Sequence, residues 1–262
     1  MPRMNNPHQA LLTESEAQRA LYIDFEGNAN FPPTLLGVLA ANGSGLCNFF
    51  QDVVEAAFSD CAVAHSHEIG EGNYCRTGSL THVIDTLVDR AREEDRLIVA
   101  WSGHEWDVVR EYSGVSPRSL SEFDRRFRSA IPTAKDYKRR CFQSHVFPPK
   151  PKKGFVPWGT HTLPNYLRMV GYPIPSGSGP GLTGKNLAYL RAELERKGGE
   201  HAALTPASKG KWSRVLSHNL HDCCGMRELM LRAAEAYPLG EPEPCGPCGV
   251  MGYQPTCPEA TR

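Results

Sequence analysis

The hexapeptide Leu21-Tyr22-Ile23-Asp24-Phe25-Glu26 starts apolar and ends on two acids one residue apart, with Gly27 behind them. Its apolar, aromatic and β-branched residues predict a short strand. Residues i and i+2 of a strand project to the same face, so Asp24 and Glu26 point together while Phe25 points into the opposite layer. Side-by-side carboxylates repel each other unless a cation lies between them. Hard oxygen ligands of this kind suit Mg²⁺ or Mn²⁺. A strand end at which two acids simply enter water accounts for Asp-x-Glu equally well.

Working outward, residues 35–41 (LLGVLAA) read as a second strand and 46–50 (LCNFF) as a third. Asn42-Gly43-Ser44-Gly45 between them is a hairpin turn, because Asn and Gly tolerate the positive φ such turns need. Three consecutive strands predict an antiparallel start to a sheet. Apolar residues at helical spacing (Leu80, Val83, Ile84, Leu87, Val88, Ala91) predict an amphipathic helix over 80–92. Residues 97–101 (LIVAW) form a continuous apolar run suited to a strand buried on both faces, and a helix is expected from His104. PPKPKKG reads as a loop. Further helices are expected over 163–170, over 186–197 with Thr183 as cap, and over 217–236. The expectation is an α/β fold, a mixed sheet flanked by helices. The expected domain spans 20–237, with an N-terminal extension over 1–19, an insertion over about 125–216 and a Pro/Gly/Cys-rich tail over 238–262.

Composition sets bounds on function. The chain has 262 residues, 40% hydrophobic and 22% charged, ordinary for a water-soluble domain. No apolar run of ~18 residues predicts a membrane span, and the N-terminus lacks the apolar core of a secretory signal, so a cytoplasmic protein is expected. The nine cysteines are odd in number and irregularly spaced, which suits reduced thiols. Cys245-Gly-Pro-Cys248 with Cys257 sits among prolines and lacks a paired second Cys-x-x-Cys, so an inert tail is favoured over a zinc or redox site. The formal net charge of zero hides an asymmetry. Residues 125–153 hold ten Lys or Arg (Arg125, Arg126, Arg128, Lys135, Lys138, Arg139, Arg140, Lys150, Lys152, Lys153) against one acid, Asp136. Such a stretch is expected to follow a phosphate backbone, with Phe127, Tyr137, Phe142 and Phe147 available for base stacking. Lys209, Lys211 and Arg214 extend the track.

His218-Asn219-Leu220-His221-Asp222 carries a second acidic element. On a helix, His218 and Asp222 share one face, and Gly225, Met226 and Leu229 continue it inward. An acid on a core-facing side costs free energy unless it is paired or holds metal. A His one turn away can take a proton from metal-bound water as a general base. After the strand ending at Trp101, two further acids compete. Glu105 has Val108, Val109 and Tyr112 at i+3, i+4 and i+7, which favours a buried position. Asp107 has Arg110 and Glu111 at i+3 and i+4 and is expected to face water.

Together these elements resemble the DEDD 3′–5′ exonuclease superfamily, which has Asp-x-Glu on its first strand and its last Asp on a late helix. More narrowly, the chain resembles the ribonuclease H-like nucleases found beside RecB-type and CRISPR-associated proteins. Glu105 after an aromatic-ended strand and Gly159-Thr160-His161-Thr162-Leu163 carry that narrower likeness, which spans residues 21–236. His218 stands where the corresponding subgroup has Tyr, and Gly103 where the middle motif has Asn before Trp106-Asp107. The resemblance implies a ribonuclease H-like fold and a metal-dependent nuclease, a 3′–5′ exonuclease with two Mg²⁺ or Mn²⁺ ions. Asp24 would bridge the ions, Glu26 and Asp222 would complete one, and Glu105 (or Asp107) would support the other, with His218 as general base. Its partner would be DNA or RNA, single-stranded or at 3′ ends. A non-catalytic nucleic-acid-binding module is the alternative, and DNA versus RNA and exo- versus endonuclease stay open.

Overall fold

The computed structural model describes residues 7–28, 31–41, 47–66, 73–148, 161–175 and 181–236. Strands β1 (Leu21–Glu26), β2 (Leu35–Ala41) and β3 (Cys47–Val53) pair antiparallel in sequence order. β4 (Asn73–Thr77) joins parallel to β3, β5 (Ile98–Ala100) parallel to β1, and β6 (Phe127–Ser129) parallel to β5. The sheet order is β4-β3-β2-β1-β5-β6, so β2 alone runs against the rest. The carboxyl ends of β1, β5 and β6 therefore lie at one edge, where open α/β sheets place their ligands.

Helices cover both faces. α3 (Leu80–Glu93), α4 (His104–Tyr112) and α5 (Pro117–Arg126) pack on Leu21, Ile23, Leu36, Val38 and Ile98. The other face carries α1 (Glu14–Arg19), α6 (Ile131–Cys141), α7 (Leu163–Met169) and the second half of α9 (Pro206–Glu235), over Tyr22, Leu39, Phe49 and Val99. α2 (Ser59–Ser66), α8 (Leu182–Arg196) and the first half of α9 close the same face around Leu35 and Val53. The alternation along β1 sorts its side chains: Leu21 and Ile23 go to the α3 layer, Tyr22 to the α9 layer. Asp24 and Glu26 have the parity of Tyr22 and so lie under α9.

α9 has 30 residues, roughly 45 Å at 1.5 Å per residue, and packs on β1 and β2. The Thr205 side chain caps it by accepting from the Ser208 N–H at 3.2 Å, and Pro206 fills the first turn, where its missing N–H costs nothing. Two glycines let it close on its neighbours. A Cβ on Gly37 would lie 2.1 Å from Asn219 Oδ1, and one on Gly225 would lie 2.7 Å from Leu167 Cδ1. Directly beneath Asn219, the register aligns Asp24, Gly37 and Gln51 across three strands.

The predicted strands at 21–26 and 35–41 match, and the helices expected at 80–92 and from His104 agree to within a residue. The hairpin turn at 42–45, the PPKPKKG loop and the Cys-containing tail lie outside the described residues. Other expectations are corrected. β3 runs on to Val53, and α2 and β4 were not foreseen. Thr183 is not a cap, because Gly181 in the left-handed region (φ 72°) precedes α8. α9 begins eleven residues before the expected start at 217, so Asp222 lies in mid-helix. The segment 125–216, read as an insertion, supplies β6 to the sheet, and the extension 1–19 buries Leu12 and Ala17 in the core. Among the described residues no helix is long and apolar enough to cross a membrane.

The tight fit at Gly37 gives a direct test. Gly37→Ala should destabilise by about 1–3 kcal/mol, because Asn219 is held on both sides and overpacking has no relief. Gly210→Ala in the same α9 meets nothing within 4 Å and should stabilise by up to about 1 kcal/mol through helix propensity. Thermal unfolding of the two variants should move in opposite directions.

Candidate functional site

Asp24 and Glu26 end β1 on the face covered by α9, and α9 lays His218, Asn219 and Asp222 over them. Asn219 is fully buried and anchors this junction. Its Nδ2 donates to the Asp24 backbone oxygen and to Asp24 Oδ2, each at 2.9 Å. Gln51 Nε2 donates to Asn219 Oδ1 at 3.2 Å and to the Leu216 carbonyl at 2.9 Å. A relay from β3 through α9 thus orients the Asp24 carboxylate. His218 Nε2 lies 3.6 Å from Asp222 Oδ2 and 4.0 Å from Glu26 Oε1, which places the imidazole between the acids of helix and strand.

Glu105 comes from the first turn of α4, which follows β5. α4 starts immediately after β5, and Ser102 donates to Glu105 Oε2 from its backbone N–H (3.3 Å) and its hydroxyl (3.1 Å). These bonds fold the carboxylate back over the helix N-terminus, where partial positive charge favours it. Glu105 is 7% exposed and sits within the electrostatic reach of Asp24. Asp107 is exposed and is not among the charges felt by Asp24 or Glu26. Periodicity separated the two correctly, although Tyr112, expected to be buried, is half-exposed.

Four acids therefore converge: Asp24, Glu26, Glu105 and Asp222. Burial raises the pKa of each. The charges of Asp222 and Glu105 raise Asp24 further, and those of Asp24 and Asp222 raise Glu26 further. Opposing contributions come from the Asn219 hydrogen bond at Asp24, from the backbone N–H of Glu105 itself, His104 and the Ser102 bonds at Glu105, and from His218 at Asp222. None of these causes is a lysine or arginine. Glu26 Oε1 is buried without a hydrogen-bond partner, an arrangement that is costly unless a cation supplies the missing interaction. The donor set, all carboxylate oxygen, fits a hard divalent cation. Among the described residues, no three His, Cys, Asp or Glu side chains already surround one point as metal ligands. The chemistry of the donors, rather than a preformed ring of ligands, is what fits the ion.

The basic stretch divides. Arg126 is 6% exposed and bonds Glu122 (2.6 Å), Asp95 (3.1 Å) and the Arg96 carbonyl (3.0 Å), so it is a structural cation. Arg140 bonds Asp136 and the Ala233 and Ala236 carbonyls, closing the end of α9. Arg125 pairs with Glu122, and Arg128 turns onto the Arg125 and Phe127 carbonyls. Phe127, Tyr137, Phe142 and Phe147 are buried and cannot stack on bases; they are core, not platform. Lys138 and Arg139 remain on the accessible side of α6, whereas Lys150, Lys152 and Lys153 lie outside the described residues. Sequence reasoning missed Asn219 and Gln51 as functional groups. The available signal was Gly37, an isolated glycine inside a strand, which marks a close approach.

The raised carboxylates carry a pH dependence. Below the unfolded pKa of about 4.3 for Glu, Glu26 is protonated in both states and contributes no difference. As pH rises, the unfolded chain ionises first, and native stability falls until the folded pKa is passed. Glu26→Gln should therefore raise the metal-free melting temperature at pH 7.5, by about 2–4 °C for each kcal/mol of relief, and the gain should vanish near pH 4. A variant that melts below the wild type at pH 7.5 would show that Glu26 is not electrostatically frustrated.

No family model, curated protein or solved structure matches this chain.

Proposed function

We propose that the chain is a ribonuclease H-like, metal-dependent nuclease that hydrolyses phosphodiester bonds of DNA or RNA, as a 3′–5′ exonuclease. The observation that carries this reading is the convergence of Asp24, Glu26, Glu105 and Asp222 with no lysine or arginine among the groups that act on them. Support comes also from the fold: an antiparallel three-strand start, then strands added parallel through helices, with a late helix laid over the first strand. That order is compatible with a ribonuclease H-like fold.

Asp24, Glu26 and Asp222 would hold one Mg²⁺ or Mn²⁺, with Asp24 and Glu105 holding a second. Such a pair of ions, when bound, activates a water and stabilises the leaving oxygen of an in-line displacement. The protein's own groups have distinct tasks. Asn219 holds Asp24 through two bonds, one to its main-chain carbonyl and one to carboxylate Oδ2, leaving Oδ1 for a ligand. Ser102 restrains one oxygen of Glu105. His218, 3.6 Å from Asp222, accepts the proton of the attacking water at Nε2, and the carboxylate then stabilises the imidazolium. The burial of Glu105 within reach of Asp24 weighs against the non-catalytic alternative.

Incubation with end-labelled single- and double-stranded DNA and RNA, in Mg²⁺, Mn²⁺ or EDTA, tests the reading. Hydrolysis should require the metal and shorten substrates from the 3′ end. Asp24→Asn should abolish it while circular dichroism stays native. Glu105→Gln should cost orders of magnitude in rate, with Asp107→Asn costing little. Equal effects at 105 and 107 would mean that burial does not select the third acid, and wild-type cleavage by Asp24→Asn would end the nuclease reading.

A further inference from the structure

A groove of about 680 Å³ is lined by Lys135, Lys138, Arg139 and Arg140 of α6 and by His161 and Tyr166. Its volume suits a nucleotide-sized ligand. Four cations and no carboxylate line it. Asp136 pairs with Arg139 at 2.5 Å and with Arg140 at 2.7 Å, and among the described residues no carboxylate partners Lys135 or Lys138. The Lys138 ammonium is half-buried, 5.3 Å from the centre of the Phe147 ring and 3.5 Å from the Phe142 carbonyl, neither of which neutralises it. A partly desolvated cation without a counter-charge is a site for an anion.

The other lining is aromatic. His161 is exposed, and Tyr166, fully buried, lies against it with ring centroids 5.9 Å apart and an interplanar angle of 26°. A 2.7 Å bond between His161 Nδ1 and the Tyr166 hydroxyl holds the imidazole in place. The groove is tied to the acidic cluster through β5. Trp101, just beyond that strand, donates from Nε1 to the His161 carbonyl at 3.1 Å and packs on Tyr166 at 5.4 Å. The next residue, Ser102, is the one that holds Glu105.

We propose that this groove binds the phosphate of a nucleotide, with Lys135, Lys138 and Arg139 on the phosphate and His161 against the base or sugar. Its role as the subsite adjoining the hydrolysed bond rests on the nuclease reading; the binding itself does not. The phosphate belongs either to a mononucleotide or to a diester inside a strand, and these share the chemistry the cations recognise.

The test uses the full chain in EDTA, so that no hydrolysis intervenes, with ligand-observed NMR of adenosine, AMP and the dinucleoside monophosphate ApA. At least one phosphate ligand should bind tenfold or more tightly than adenosine. Lys135→Ala should weaken that binding at least threefold, and Lys135→Ala/Lys138→Ala at least tenfold. Arg118→Ala, on exposed α5 surface, should leave it unchanged. Preference for AMP assigns the groove to a terminal or product phosphate, and preference for ApA assigns it to the strand; either supports the site. Because Lys138 packs on Phe147, the exposed Lys135 variant keeps the test valid if the double variant fails to fold. Adenosine binding as tightly as both phosphate ligands, no binding by either, or binding indifferent to Lys135→Ala would overturn the proposal. A failed groove leaves the Asp24→Asn result standing, and a failed Asp24→Asn result leaves the groove standing.

Discussion

The carboxamide of Asn219 is wedged between helix and sheet at the one place where β2 has no side chain. Its oxygen receives Gln51, its nitrogen serves Asp24, and Gly37 beneath leaves room for both. Two consequences follow from this contact. α9 is set at a fixed depth and rotation on the sheet, so that Cys223 and Met226 fall into the core and His218 and Asp222 fall over the end of β1. The Asp24 carboxylate is given a defined orientation before any ligand arrives. A buried amide with both ends satisfied contributes little net stability but tolerates no alternative packing. It therefore sets geometry more than energy.

The cluster it organises is frustrated by design. Four acids are brought within one another's electrostatic reach by the hydrophobic packing of α9, α4 and the sheet, and no lysine or arginine is among the groups that act on them. The core has to hold this arrangement against its own electrostatics, the usual trade between stability and a functional site. Elsewhere the protein neutralises its buried charges. Asp52 of β3 is 1% exposed and meets Arg76 on β4, while Glu55 meets Arg191. The contrast makes the uncompensated cluster, and the likewise uncompensated Lys135 and Lys138, the informative parts of the surface.

Much of this was legible in the residues. Strand alternation placed Asp24 and Glu26 together, and helical periodicity put Glu105, not Asp107, on the buried side of α4. Both follow from local geometry, in which side-chain direction repeats every 2 or 3.6 residues. The basic run misled because charge was counted without partners. Arg126 and Arg140 are consumed by Glu122, Asp95, Asp136 and main-chain carbonyls, and the interleaved aromatics Phe127, Tyr137 and Phe142 are core because that run folds as α5, β6 and α6 rather than as an open loop. Short elements such as β6, with three residues, carry too few positions for a period to show.

The sequence by itself determined the antiparallel β1–β3 start, the amphipathic faces of α3 and α4, and the shared faces of Asp24 with Glu26 and of His218 with Asp222, since each depends only on backbone period and side-chain polarity. The tertiary structure alone decided that these two faces meet, that Glu105 joins them from the first turn of α4, that Asn219 and Gln51 hold Asp24, and which cations stay available. Those outcomes depend on the depth and rotation at which α9 lies on the sheet, and that is set by contacts such as Gly37 with Asn219, between residues 182 positions apart, for which no local rule exists.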